Sequence, residues 1–318
     1  MGNRVLVTGA TGFVGNVLCE TLAAAGFIVR GAVRTSRTMP ASVSECVTVG
    51  EIGAATSWEA ALQGVDHVIH LAARVHVMKD DPANLDLYTE TNLRGTRCLA
   101  AAAARADVQR FIYVSSVKVN GEETSGHPYS AADEPLPQDP YGVSKLHAER
   151  CVQEMAAQSA MRYTIVRPPL VYGPGVRANF LRLMRWIDEE RPLPLGAIAN
   201  RRSMVSVWNL SDLLLNLLAN PAAVGRTLMV SDGLDFSTPE LIRRIAHAMG
   251  RRERLLSVPV SMLKLLGAVS GKRAEIARLC GSLCVDLAET RAAVGWLPPV
   301  SVEVALERTV RWYLAASW

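Results

Sequence analysis

An apolar strand that runs into a glycine-punctuated turn and then a helix dominates the start of the chain. It reads Arg4-Val-Leu-Val-Thr8-Gly9-Ala10-Thr11-Gly12-Phe13-Val14-Gly15. Gly9 permits a tight turn, Gly12 lets the backbone approach a pyrophosphate, and Gly15 lets a helix pack against the strand. Backbone amides at the helix start then face an anion. Asn16 to Leu22 continue as an amphipathic helix that closes at Gly26 before a second strand. The order of strand, glycines and helix points to a dinucleotide, with Thr11, Phe13 and Val14 beside the glycines in the binding turn.

The same rhythm continues through the first half. Strands are predicted at 4–8, 28–34, 46–49, 67–71, 110–115 and 162–167, with helices at 12–25, 57–63, 85–105 and 141–158. Such alternation implies an α/β fold, a doubly wound parallel sheet covered on both faces. Ligands of such sheets bind at the carboxyl ends of the strands. After Arg167, Pro168-Pro169 and Gly173-Pro174-Gly175 break the rhythm. A helix at 180–190, a strand at 204–208 and helices near 210–218, 238–249 and 302–313 follow. The expected division is residues 1–168 for the dinucleotide and 169–318 for a smaller, mostly helical substrate part, with a return to the sheet near 209–231.

Composition excludes several classes. The chain has 318 residues, 49% of them apolar and 20% charged, which is ordinary globular composition. A net charge of +4 at this length, with arginine runs no longer than two, argues against nucleic acid. The longest apolar stretches are far shorter than a membrane span, and no secretory signal is visible. Cysteines 19, 46, 98, 151, 280 and 284 form no CxxC pair and have no histidine partners at metal spacing. They predict no metal and a reduced, cytoplasmic protein.

Two further elements carry chemistry. Tyr141 and Lys145 open a helix after Pro140, and a spacing of four puts both on one face. A lysine ammonium beside the phenol favours the phenolate, so Tyr141 is a candidate proton carrier. Upstream, the strand Phe111 to Val114 ends in Ser115-Ser116 at the sheet edge where ligands bind. There Ser116 can orient a substrate hydroxyl or carbonyl.

Together these residues resemble the extended short-chain dehydrogenases/reductases, the group of nucleotide-sugar epimerases, dehydratases and ketoreductases. The resemblance rests on Thr8–Gly15, Asp66, His70-Leu71-Ala72-Ala73, Asn92 in Thr91–Thr96, the serine strand, Tyr141/Lys145, Arg167–Gly175 and Arg202–Leu210. It implies a Rossmann-type sheet and a catalytic triad of Ser116, Tyr141 and Lys145. It also implies that Leu71, Ala72, Ala73 and Asn92 line the cofactor cleft. Asn179 and Arg202 match positions that contact the substrate diphosphate, and Arg278 is a weaker match for a second such arginine. The resemblance further implies a homodimer built on the helices at 85–105 and 141–158, with Leu93, Leu99, Val143, Leu146 and Met155 as candidate contacts.

Departures narrow the chemistry. The family's 4,6-dehydratases place two carboxylic acids after the catalytic hydroxyl residue; here Val117 and Lys118 follow Ser116, which disfavours dehydration. Asn120 replaces a usual tyrosine, Leu170 a common asparagine, and Val75 a lysine that some epimerases carry. At the end of the second strand NAD readers usually carry an acid. Here Val33 is followed by Arg34 and Arg37, which favours NADP(H), with NAD(H) the alternative. The leading expectation is an NADPH-dependent reductase of a UDP-4-keto-6-deoxy-(N-acetyl)hexose in surface-polysaccharide synthesis. A UDP-hexose 4-epimerase with retained NAD+ is the runner-up, and a non-catalytic NADP-sensing protein comes third.

Overall fold

A computed structural model describes residues 3–36, 38–75, 86–271 and 273–316. Its elements run β1 (Arg4–Thr8), α1 (Phe13–Ala24), β2 (Ile28–Val33), β3 (Glu45–Thr48), α2 (Glu59–Leu62), β4 (His67–His70) and a π-helical turn Thr89–Arg94 leading into α3 (Gly95–Arg105). Then follow β5 (Arg110–Val114), α4 (Pro140–Ala157), β6 (Arg162–Arg167), β7 (Leu170–Tyr172), α5 (Ala178–Asp188), β8 (Arg202–Ser206) and α6 (Val207–Ala219). The chain ends with β9 (Arg226–Met229), β10 (Asp235–Phe236), α7 (Thr238–Met249), α8 (Val260–Val269), α9 (Arg273–Cys280), α10 (Ala288–Val294) and α11 (Val302–Ala315).

Seven strands form one parallel sheet in the order β3-β2-β1-β4-β5-β6-β9. Alternate residues of each strand feed two cores, which is why these strands read as nearly unbroken apolar runs. Val5, Val7, Ile69 and Ile112 meet α1 and α6 through Leu18, Leu22, Leu210 and Leu214. Leu6, Val68, Phe111 and Ile165 meet α3 and α4 through Leu99, Ala103, Ala148 and Val152. Successive strands are added to one side of β1 up to β3 and to the other side from β4 onward, so the loops after β1 and β4 frame a crevice at their carboxyl ends.

A second sheet, β10-β8-β7, packs with α5, α7 and α11 around Tyr172, Phe180, Met184, Ile242, Ile245, Leu306 and Val310. The return to the main sheet is β9, which pairs with β6, while α6 packs against α1. The expected strand at 204–208 instead spans Arg202–Ser206. Ser206 caps α6 by accepting from the Asn209 amide, so Val207 and Trp208 turn helical. The expected helix at 57–63 contracts to Glu59–Leu62, and Leu85 lies outside the described residues. The short β7 and β10 and the helices α8 to α10 had no counterpart among the predicted elements.

Candidate active site

The turn between β1 and α1 is built from contacts only glycine permits. Gly9 has φ +72°, and a Cβ there would sit 3.1 Å from the Ala72 nitrogen, so the turn lies directly on the loop after β4. A side chain at Gly15 would overlap the Gly9 carbonyl oxygen and Ala10. Gly12 starts α1 with no side-chain cap. The first amides of α1, from Phe13, Val14 and Gly15, therefore form a cradle suited to a pyrophosphate. Thr11 lies in this turn, and the Phe13 ring lies near Gly173 and Gly175 of the second half.

A buried polar column supports the neighbouring loop. The Ala72 amide donates to Thr8 Oγ1 at 3.1 Å, and Thr8 Oγ1 lies 2.6 Å from His70 Nδ1. On the far side His70 Nε2 lies 2.9 Å from Thr96 Oγ1. The best-satisfied assignment has the Thr8 hydroxyl donating to Nδ1 and Nε2–H donating to Thr96. Complete burial, reinforced by the positive charge of Lys145, pulls His70 down to about 3 and keeps it neutral. Leu71 and Ala73 stand half-buried beside Ala72.

Asn92, on the π-helical turn, is buried and its side chain is used internally. It accepts from the Arg74 amide at 2.8 Å and donates to the Arg74 carbonyl at 3.1 Å and Ser144 Oγ at 3.0 Å. Ser144 in turn donates to the Tyr141 carbonyl at 2.7 Å. Asn92 thus ties the loop after β4 to α4.

Asp139 and Pro140 start α4: Asp139 Oδ1 accepts from the Gly142 amide at 2.6 Å. Tyr141 and Lys145 follow on one face. The Tyr141 hydroxyl faces the Ser116 side chain, which favours the phenolate. Lys145 is buried, donates to the Val114 carbonyl at 2.7 Å and lies 4.1 Å from the Tyr113 ring centroid. Burial pulls Lys145 down to about 7, with the charge of Glu149 opposing. Burial also pushes the Tyr141 phenol well up; the Ser116 side chain opposes this, and Asp139 and Tyr88 add to it. The expected lowering of the phenol by Lys145 is absent from that balance. The lysine is instead turned to a backbone carbonyl.

The remaining candidates are spread wider. Arg34 is exposed and paired with Glu51 at 3.2 Å, while Arg37 lies outside the described residues. Asn179 is exposed, and its carbonyl oxygen accepts from Arg182 at 2.9 Å. Arg202 Nη1 donates to the carbonyls of Arg278 and Gly281 at 2.7 and 3.1 Å, which leaves Nε and Nη2 to meet an anion. The Arg278 side chain is exposed. Among the described residues no cluster of three or more His, Cys, Asp or Glu could hold a metal. No helix among them is long and apolar enough to cross a membrane. Glu51, Glu149 and Asp139 were not among the sequence candidates. Asp139 had a local signal, an acid before Pro140 at a helix start; the partners of the other two lie far away in sequence.

The family model of the NAD dependent epimerase/dehydratase family matches residues 5–230. A Vibrio cholerae UDP-glucose 4-epimerase is 41% identical over 100% of this chain and 97% of its own. An Escherichia coli N-acetyl-α-D-glucosaminyl-diphospho-ditrans,octacis-undecaprenol 4-epimerase is 28% identical over 98% and 96%. The structure of MoeE5 in complex with UDP-glucuronic acid and NAD superposes with a TM-score of 0.79 at 25% identity, over 97% of this chain and 98% of that one.

Proposed function

The chain belongs to the NAD-dependent epimerase/dehydratase family, and from that premise we propose that it carries out oxidoreduction at C4 of a nucleotide-activated sugar. The observation that carries this reading is the Tyr141 hydroxyl facing Ser116 one helical turn from Lys145, beside the β1–β4 crevice. The residues present fit a nicotinamide dinucleotide. The glycine turn and the first amides of α1 hold its pyrophosphate, Leu71–Ala73 wall the crevice, and the ammonium hydrogens of Lys145 not used on Val114 grip a ribose. Such a cofactor, when bound, supplies hydride exchange.

Ser116 holds the C4 oxygen. Tyr141 takes the proton of the C4 hydroxyl in the oxidising direction and returns it in the reducing one. Arg202, with Asn179 and Arg278, meets the substrate diphosphate through charge-assisted hydrogen bonds. The working division remains residues 1–168 and 169–318, with β9 returning to the first part. A cytoplasmic homodimer completes the reading.

Epimerisation of a UDP-hexose is the first form of this chemistry, supported by the two 4-epimerase relatives. Ketoreduction of a UDP-4-keto-6-deoxy-(N-acetyl)hexose is the second. It is favoured by Val33-Arg34, which leaves no acid at the end of β2 to repel a 2′-phosphate. The test is to release and identify the cofactor of the purified protein. UDP-glucose is then assayed for conversion to UDP-galactose, and a UDP-4-keto-6-deoxy-N-acetylhexosamine for stoichiometric NADPH consumption. Retained NAD+ with interconversion supports epimerisation, and NADPH consumption supports reduction. Failure of both assays overturns the C4 reading.

A further inference from the structure

We propose that Lys118 is a positioning residue that clamps the Ser116 loop to the start of the catalytic helix and offsets the charge of Asp139 beside Tyr141; this rests on the C4 chemistry above. Lys118 stands two residues beyond Ser116, in a short 3-10 turn that Ser116 itself caps by accepting from the Lys118 amide at 3.3 Å. Its Nζ reaches Asp139 Oδ2 at 2.5 Å and Glu122 Oε1 at 2.7 Å. Asp139 uses its other oxygen to cap α4 two residues before Tyr141. One carboxylate therefore holds the helix start with Oδ1 and the serine loop with Oδ2. The side chains of Lys118 and Asp139 are only 27% and 33% exposed, so water screens the pair less than an ordinary surface contact.

The pair is charged on both sides. Burial raises the Asp139 carboxyl, but the Lys118 hydrogen bond and the Gly142 amide outweigh it and hold the group below its ordinary value. Burial lowers the Lys118 ammonium, but Asp139 and Glu122 outweigh it and hold that group above its ordinary value. The groups facing Tyr141 are the Ser116 hydroxyl, the Tyr88 ring at 6.1 Å and the Asp139 carboxylate, with Tyr113 and Lys145 deeper on the inner side. Those facing Lys118 are Asp139 and Glu122. A bare Asp139 carboxylate opposes the phenolate that Tyr141 needs as a base, and Lys118 sets a positive charge against it. The same arrangement explains why no acid stands at 118: it would meet two carboxylates.

The test compares Lys118→Met, Lys118→Arg, Asp139→Asn and the Lys118→Met/Asp139→Asn double variant, each first shown to be folded by its thermal unfolding curve. In the sugar-oxidising direction Lys118→Met is expected to move the acidic limb of the kcat profile up by about half to one pH unit. It should lower kcat several-fold with KM nearly unchanged. Lys118→Arg should restore the profile. Asp139→Asn keeps the cap and removes the negative charge, so its limb moves down, and the double variant returns towards wild type. A second readout needs no turnover: alkaline titration of the NAD+-loaded protein by phenolate absorbance, with Tyr141→Phe as the blank. An unmoved limb in Lys118→Met, or a shift in the same direction as Asp139→Asn, overturns the proposal. If the wild type turns over no nucleotide sugar, the C4 reading fails separately and the absorbance titration alone decides for Lys118.

Discussion

Arg167 and Glu149 form a forked ion pair behind α4, Nε to Oε1 at 3.0 Å and Nη2 to Oε2 at 2.6 Å, with side chains 5% and 2% exposed. The remaining Nη1 donates to Asn120 Oδ1 at 3.0 Å, and Asn120 donates to the Ser130 carbonyl at 3.0 Å. One buried network thus joins β6, α4 and the segment after Ser116. Glu149 stands one turn beyond Lys145, and its charge draws the lysine back towards protonation. A forked arginine-carboxylate pair has its strongest hydrogen bonds satisfied, but removing one partner strands the other without water. Glu149→Ala should therefore cost about 3–5 kcal/mol of stability in urea denaturation. Replacing both, Glu149→Leu with Arg167→Met, should cost less than the single change. A loss below about 1 kcal/mol for Glu149→Ala would show that the pair does not hold these elements together.

His70 gives the fold an acid sensitivity with a definite sign. Its folded value is about 3, against an ordinary 6.5. Between those values the unfolded chain binds more protons than the folded one. The stability this histidine confers is therefore complete above about pH 6.5 and is lost as pH falls towards about 3. A displacement of this size corresponds to several kcal/mol, on the order of 5. Denaturant curves across this window should fall steeply for wild type and more gently for His70→Gln. Parallel curves would mean that other groups control acid unfolding.

The sheet was legible because its signals are local. Alternating strand and helix lengths, the glycine turn and the four-residue spacing of Tyr141 and Lys145 all lie within short windows. What stayed hidden depends on distance. β7 has three residues and β10 two, too short for any periodicity. Asn92 was readable as a site residue, but its role as a bridge from Arg74 to Ser144 was not, because its partners lie 18 and 52 positions away. The phenol was expected to be lowered by Lys145. Burial reverses that sign, and burial cannot be read from a spacing.

Tyr141→Phe removes one oxygen and little volume. Turnover should fall by about 10²- to 10⁴-fold, the usual worth of a proton-transferring group. Cofactor affinity, measured by nicotinamide fluorescence, should stay within a factor of about two, because the pyrophosphate cradle lies on α1 and Lys145 on α4 is left in place. A variant retaining more than roughly a tenth of the rate would remove Tyr141 from the proton path.

Arg34 tests the cofactor choice. Its pairing with Glu51 is exposed on both sides, 73% and 81%, so it is weak and can be given up to a phosphate. If Arg34 reads a 2′-phosphate, Arg34→Ala should weaken NADPH by about 1.5–3 kcal/mol and leave NADH nearly unchanged in calorimetry. Glu51→Gln should then strengthen NADPH slightly by freeing the guanidinium. Equal weakening of both cofactors by Arg34→Ala would assign Arg34 to the adenosine half common to both.

Assembly is the last expectation, and the structure redistributes its residues. Leu99 is fully buried against the sheet and Leu146 is 8% exposed, so neither has much surface to offer a partner. Leu93, Val143 and Met155 remain half-exposed on α4 and the turn before α3. A two-fold pairing of these helices would set the same residues of both subunits against each other and leave each active site within its own chain. Three apolar side chains are few for a standard interface, so polar contacts from the exposed Arg94, Arg97 and Arg150 must contribute to the rim. Val143→Glu should then dissociate the dimer without altering the fold, because its side chain lies outside the core clusters. Light scattering at micromolar concentration reads the outcome: a wild-type mass of about twice 34.4 kDa that falls to the monomer value in Val143→Glu. A wild-type mass of 34.4 kDa would mean that these helix faces are simply solvated.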